Sequence, residues 1–459
     1  MIGQLTFSQI ADDFGGTLVY PDCLFSSVST DSRSIEDGQI FIALKGEKFD
    51  GHKFISSISK KVCGLVVEKL DPDIEISQWV VPNTTEALGH IARANRDKFT
   101  GCLIAITGSC GKTSVKEMVA SILEKSGPVS FTKGNSNNEI GVPSTLINIS
   151  DDHKYSVVEM GAKGFGDIAY LCKIARPNIA LINNVMPAHL ESFGDIQSIA
   201  KAKGEIYQNL TNKEVAVINL DEPHAKVWIK STKAKVVTFS TVKSEADINA
   251  QNIILENNGC YSFILDSPQG KIPVNMPLRG RHNVANAIAA AACAFSAGVD
   301  LQIIKYGLSS LRQVRGRMEF SKLCSGTTLI DDTYNASPGS VMAAIDSLVE
   351  ANGLHILILA DMAELGRDAI RLHRDIGRYA SAAGVNIFLT LGPLSLYAAE
   401  EFGEKSQHFN DKKELLDFLT KSKIFHDNFS DDEKVILIKG SRFMGMEDIS
   451  ESIKNWGAP

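Results

Sequence analysis

The sequence predicts an α/β protein in three units: a small mixed α/β unit, a parallel-sheet unit, and a second doubly wound unit. Three observations carry this reading. The chain has 459 residues, about three times the length of a typical single domain. From residue 101 onward, short apolar runs alternate with longer stretches of helical period, the pattern of a parallel sheet with crossover helices. After Arg315-Gly316-Arg317 the alternation starts afresh, so a second sheet is expected. The expected units are 1–82, 83–314 and 315–459.

In order along the chain, Thr6 to Phe14 reads as a short amphipathic helix stopped by Gly15-Gly16. Apolar runs at Gln39–Leu44, Gly64–Val67 and Trp79–Val81 read as strands separated by polar turns. Pro82-Asn83-Thr84 reads as a linker, with Thr84 as the cap of a helix reaching Lys98. Cys102–Thr107, Tyr155–Met160, Ile179–Asn183 and Glu214–Asn219 are expected as buried strands. The stretch from Ile248 to Val274, with turns at Asn257-Asn258-Gly259 and Pro268-Gln269-Gly270, suits an antiparallel hairpin at the sheet edge. Asn283–Ala297 is an alanine-rich helix. Thr328–Asp331, His355–Ala360, Asn386–Leu391 and Val435–Lys439 are the strands expected in the last unit.

Composition narrows the function. Apolar residues make up 44% and charged residues 22%, which excludes a disordered or collagenous chain. The net charge is −7 and no basic block occurs, so a nucleic-acid partner is not expected. No apolar run approaches the ~18 residues that span a bilayer. The first residues lack the basic region of a secretory signal, and the eight cysteines form no C-x-x-C pair, so a reducing cytoplasm is the expected location.

The sharpest motif is Gly108-Ser109-Cys110-Gly111-Lys112-Thr113, between a predicted strand and a predicted helix. Such a loop turns backbone N–H groups toward phosphate oxygens, and the helix N-terminus adds partial positive charge. Lys112 can reach β- and γ-phosphates, and the Thr113 hydroxyl can hold Mg2+. The spacing is two residues shorter than the common phosphate loop, which would place its first glycine at Ile106. Glu159 ends the next strand, on the ligand side of such a sheet. Asn183, Asn184 and His189 follow the strand after it; His189 reads either as a loop histidine or as part of a cation shell. Asn283 and Asn286 share one helix face and suit either an adenine edge or a helix cap. In the last unit, Asp332, Asp361, Glu364 and Lys439 all follow strands. In the first, Asp31, Arg33 and the turn Lys45 to His52 read as solvated loops or as positive charge for an anionic ligand.

These residues lie in segments that resemble the Mur ligase family over essentially the whole chain. The matching segments are GSCGKTSVKEM from Gly108, TKGNSNNEIGVPST from Thr132, VVEMGAKGFGDI from Val157 and NNVMPAHLESFG from Asn183. AKGEI from Ala202, GRHNVANAIAAAA from Gly280, RGRMEF from Arg315, DDTYNASPGS from Asp331, DMAELG from Asp361 and KGSRFMGME from Lys439 complete the set. The short glycine loop is the family's own form. The departures are Cys110, Ser192, Ser337 and Ala360.

The resemblance implies an N-terminal UDP-binding domain, a central P-loop ATPase domain and a C-terminal Rossmann-like domain. It implies a monomeric ligase that uses ATP and Mg2+ to join D-Ala-D-Ala to a UDP-MurNAc-tripeptide through an acyl phosphate. It places Lys112, Glu159, His189 and Lys203 at the chemistry and one Mg2+ on Thr113 and Glu159. A second Mg2+ would lie near His189 and a carbamylated Lys203. Asn283 and Asn286 would sit near adenine, and Arg317 and Asp332 would close over the nucleotide. The muramoyl substrate and the incoming dipeptide fall to Asn137, Asn138, Asn335 and Asp361, with Asp31, Arg33 and Lys45 in the first unit. Sister ligases, including folylpolyglutamate synthase, share the loop, whereas TKGNSNNEIGVP, DDTYNASP and DMAELG argue against them. A P-loop kinase or nucleotide switch would form no amide.

Overall fold

The computed structural model describes residues 1–47, 49–323, 326–422 and 433–456; Lys48, in the polar turn 45–52, lies outside them. Three larger sheets organise the chain. The first has the spatial order Thr17–Val19, Ser77–Val80, Gly64–Val67, Ile40–Ile42, Val28–Ser29, antiparallel at the first pair and parallel thereafter. Beside it, Leu5–Thr6 pairs with Leu24–Phe25. The helix Phe7–Phe14 opens with a capping box between Thr6 and Gln9 and stops at Gly15. Phe7, Phe25 and Trp79 pack beneath it, all essentially inaccessible.

The helix Thr84–Lys98 corrects one expectation: its cap is Asn83, whose Oδ1 accepts from the N–H groups of Thr85 and Glu86. Thr84 sits one residue inside and is buried, so its hydroxyl donates to the Ala43 carbonyl at 2.9 Å instead.

The central sheet has nine strands, in the order Gly270–Arg279, Cys260–Ser267, Ile248–Leu255, Lys235–Ser240, Val215–Asn219, Ile179–Ile182, Cys102–Thr107, Tyr155–Glu159, Val129–Phe131. Seven of these, from Ile248–Leu255 to Val129–Phe131, run parallel, and the expected hairpin is a three-stranded antiparallel edge that shares Ile248–Leu255. Val129–Phe131, Lys235–Ser240 and the helix Gly141–Ile147 were not foreseen: the first is only three residues long, the second opens on an exposed lysine, and the helix is short and contains Pro143.

The third sheet runs Glu319–Lys322, Thr328–Asp332, Lys434–Lys439, Leu354–Ala360, Ile387–Leu391, Ser406–Phe409, parallel except at its first strand. Ser406–Phe409 was not foreseen; its polar residues hide an edge strand. Among the described residues, no helix is long and apolar enough to cross a membrane.

Register positions the chemistry. Glu159 pairs with Ile106, and Ile182 pairs with Thr107, so Gly108, Met160 and Asn183 leave the sheet together at its carboxyl edge.

Asn95 joins three segments behind that sheet. It is fully buried, its Oδ1 accepts from the Ile2 N–H at 2.7 Å, and its Nδ2 donates to the carbonyls of Leu146 at 2.8 Å and Ile149 at 3.0 Å. Asn95→Ala orphans these groups and is expected to destabilise the fold by on the order of 3 kcal/mol in urea titrations; a change below about 0.5 kcal/mol would contradict the assignment.

Candidate active site

The loop from Gly108 to Gly111 joins the strand Cys102–Thr107 to the helix Lys112–Leu123, and Gly111 is its N-cap at φ 75°. Part of the loop is already committed to protein. The Ser109 N–H donates to the Asn184 carbonyl at 3.0 Å, and the Cys110 N–H donates to Asn184 Oδ1 at 2.8 Å. The Ser109 hydroxyl donates to the Met186 carbonyl and accepts from its N–H. Asn184 thus takes the Ser109 and Cys110 N–H groups and braces the loop. The N–H groups of Gly111, Lys112 and Thr113 have no acceptor among the described residues and remain at the positive end of the helix. Lys112 folds back, donating to the carbonyls of Gly108 at 2.7 Å and Ser109 at 3.2 Å. Burial lowers its pKa, opposed by the nearby Glu159 charge.

Glu159 is the hub. Its side chain is buried; Oε2 accepts from the Thr113 hydroxyl and Oε1 from Asn137 Nδ2, each at 2.8 Å. Arg317, from the start of the third unit, donates to the same Thr113 oxygen at 3.0 Å, and its guanidinium lies 3.9 Å from the Tyr334 ring centre. Cys110 Sγ meets Ser337 Oγ at 3.3 Å, a second contact between these units. Lys203 projects from the helix Ile196–Gln208 into the same cavity. It has no hydrogen-bond or carboxylate partner among the described residues, and burial together with the Lys112 charge lowers its pKa to about 7. A lysine so placed has a substantial share of neutral amine near neutrality, unlike the solvated cation that spacing alone suggested.

The cavity holds about 560 Å³, a size ordinary for a small-molecule site. Lys112, Thr113, Glu159, His189, Lys203, Asn283, Asn286, Arg317, Asp332 and Asn335 all line it, with the glycine-loop residues Ser109, Cys110 and Gly111 and the asparagines Asn137 and Asn138. Several are engaged otherwise than expected. Asn283 is not a cap; its Nδ2 donates to the Arg279 carbonyl, and its Oδ1 accepts from Asn286 Nδ2, whose own Oδ1 accepts from Asn183 Nδ2. Asn137 serves Glu159, while Asn138 Oδ1 caps the N–H groups of Ile140 and Gly141. Asp332 pairs with buried Lys439 and accepts from the Met318 N–H, which leaves less of it for a ribose. Asn335 Oδ1 accepts from the Ala336 N–H. The His189 ring Nδ1 lies against Glu364.

Five expected contacts do not line this cavity, Gly108 at the start of the loop among them. Asp361 is buried, and its carboxylate accepts from the N–H groups of Leu394 and Ser395, a structural cap. Asp31 and Arg33 form an exposed pair with each other, and Lys45 lies 3.9 Å from Glu68. Among the described residues, no three His, Cys, Asp or Glu side chains converge as a metal cluster. The oxygens of Thr113 and Glu159 are nevertheless the hard donors that suit Mg2+ beside a phosphate. Sequence reasoning missed Tyr334 and the bracing role of Asn184, although each lies beside a residue already singled out.

Comparison with known proteins agrees with this geometry. Residues 24–96 match the Mur ligase family catalytic domain, 106–294 the Mur ligase middle domain, and 316–442 the domain described as Mur ligase, glutamate ligase domain. A Haemophilus influenzae UDP-N-acetylmuramoyl-tripeptide–D-alanyl-D-alanine ligase is 40% identical over 434 residues, covering 93% of each chain. The crystal structure of MurF from Acinetobacter baumannii superposes with a TM-score of 0.92 at 34% identity, covering 99% of each chain. MurF ligase from Thermotoga maritima in complex with ADP gives 0.82 at 26% identity, covering 94% of this chain and 97% of that one.

A β-carbon at Gly111 would lie 2.6 Å from Asn286 Oδ1 and 2.8 Å from Asn183 Nδ2, in a left-handed backbone conformation. Gly111→Ala is expected to weaken nucleotide binding roughly tenfold by calorimetry; unchanged affinity would show that the loop is not the phosphate cradle.

Proposed function

Because the chain belongs to the Mur ligase family, we propose that it is an ATP-dependent amide ligase that adds D-Ala-D-Ala to a UDP-MurNAc-tripeptide. The observation that carries this reading is one cavity in which the glycine loop, Glu159 and Lys203 of the central unit face Arg317, Asp332 and Lys439 of the third. A kinase needs a phosphate cradle; a ligase also needs a second wall to deliver the amine.

In this reading a carboxylate oxygen of the tripeptide forms a bond to the γ-phosphorus as the bond to ADP breaks. The amine nitrogen of D-Ala-D-Ala then attacks the acyl carbon. Inorganic phosphate leaves with the C–O bond pair, and the amine proton passes to solvent. Both partners of the first step are anionic, so the barrier is largely electrostatic. Lys112 would release its two loop carbonyls to meet the β,γ-phosphates, joined by the free N–H groups of Gly111 to Thr113. Arg317 would hold the γ-phosphate side from the third unit. Thr113 and Glu159 would hold Mg2+, with a second ion toward His189 and Lys203; when bound, the metal supplies neutralising charge. Asn283 and Asn286 would border adenine, Asn137 and Asn138 the muramoyl end, and Asn335 the dipeptide. Asp31, Arg33 and Lys45 would serve the UDP group, consistent with domains at 1–82, 83–314 and 315–459 and a cytoplasmic enzyme.

Two experiments test this. ADP release from purified enzyme is expected only with both the muramoyl-tripeptide and D-Ala-D-Ala, and Lys112→Ala should lower it on the order of a hundredfold or more. Hydrolysis that needs neither substrate would indicate a switch, and a stable phosphorylated product would indicate a kinase. The amine of Lys203, which has no partner among the described residues, would attack CO2: an N–C bond forms, one C–O π bond opens, and a proton leaves nitrogen, giving an anionic oxygen ligand. Labelling with 13C-bicarbonate is expected to yield a carbamate carbon resonance absent from Lys203→Arg. Its absence from active wild type would rule the modification out.

A further inference from the structure

His189 and Glu364 lie in loops that follow strands of different sheets, yet their side chains meet, His189 Nδ1 against Glu364 Oε2. His189 lines the cavity and Glu364 does not, so the carboxylate stands behind the ring. Both residues adopt left-handed backbone conformations, φ 55° and 61°. Histidine tolerates that region better than most residues, whereas glutamate has no special aptitude for it, so the surrounding loops must hold it there. They do so by backbone contact. The Ser192 and Phe193 N–H groups donate to the His189 carbonyl, and the Glu191 N–H donates to the Glu364 carbonyl at 3.2 Å. A β-carbon at Gly366 would lie 3.0 Å from the Glu191 Cα, so the two loops meet without room for a side chain. The Glu364 carboxyl is held below its ordinary range, chiefly by the hydrogen bond with His189.

We propose that Glu364 is a positioning residue that holds the His189 ring by Nδ1, leaving the Nε2 lone pair facing the cavity. This rests on the ligase reading only for its purpose, which is to aim an imidazole at the cation and phosphate site. Histidines that ligate metals commonly donate their other ring N–H to a carboxylate, which sets tautomer and ring orientation. Here the carboxylate comes from the third unit, so His189 is aimed only while that unit is seated. The arrangement couples assembly of the cavity's two walls to the readiness of one side chain.

The test uses full-length protein labelled with 15N-histidine, its ring nitrogens read by long-range proton–nitrogen spectra, with His189→Gln identifying the resonance. Wild type is expected to carry the proton on Nδ1 of His189. Glu364→Ala should shift it toward Nε2, and Glu364→Gln, whose amide oxygen still accepts, should largely restore it. In ligation assays, Glu364→Ala should raise the Mg2+ concentration for half-maximal rate by about 10- to 100-fold, with a smaller effect for Glu364→Gln. If the tautomer and the Mg2+ requirement are both unchanged in folded Glu364→Ala, the proposal is overturned. If Glu364→Ala does not fold, the wild-type protein decides: a His189 ring protonated on Nε2 alone overturns the proposal equally. Wild type that fails to ligate would sink the ligase reading while leaving the tautomer result standing.

Discussion

The site depends on one buried carboxylate. Glu159 is 1% exposed, and its two oxygens are satisfied by Thr113 and Asn137, not by a contacting base. Its own N–H donates to Thr132 Oγ1, so the strand end is tied to the neighbouring strand's exit. A buried carboxylate is tolerated only when hydrogen-bonded or near positive charge, and here the helix N-terminus and Lys112 supply that charge. The same arrangement leaves negative charge waiting beside a hydroxyl, the setting in which a hard cation is held.

Around this hub the protein neutralises an anion site before any anion arrives. Lys112 occupies loop carbonyls, Arg317 occupies Thr113, and Lys439 occupies Asp332. Lys203 is the exception, since among the described residues it has no hydrogen-bond or carboxylate partner. Its helix also carries Glu205, which caps the N-terminus of the helix Asp167–Ala175 through the Gly166 and Ala169 N–H groups. The lysine's position is therefore fixed by packing on both sides.

Polar contacts that join the second wall to the first include Arg317 to Thr113, Cys110 to Ser337, His189 to Glu364, Tyr261 to Glu350, and the Glu191 N–H to the Glu364 carbonyl. The contacts of Arg317, Cys110 and His189 each end on a residue of the cavity, so separating the walls would dismantle the site itself. Tyr334, with Arg317 over one side and Arg442 at 5.7 Å, stiffens this wall where it overhangs the glycine loop.

Much was legible in the sequence because it is encoded locally. Period-two and period-3.6 patterning marks the alternating strands and helices, and the glycine loop must follow a strand and open a helix to exist at all. Strand ends therefore pointed to Glu159, Asn183 and Asp332. Sequence could not distinguish residues with the same local signature. Asp332 and Asp361 both follow parallel strands, yet the first reaches the cavity and the second caps a turn, because only the tertiary structure places Leu394 and Ser395 beside Asp361. His189 and Glu364 are 175 positions apart, and no spacing rule joins them. Burial decided the rest: Lys203 reads as an ordinary helix lysine until packing removes its water and sets Lys112 nearby.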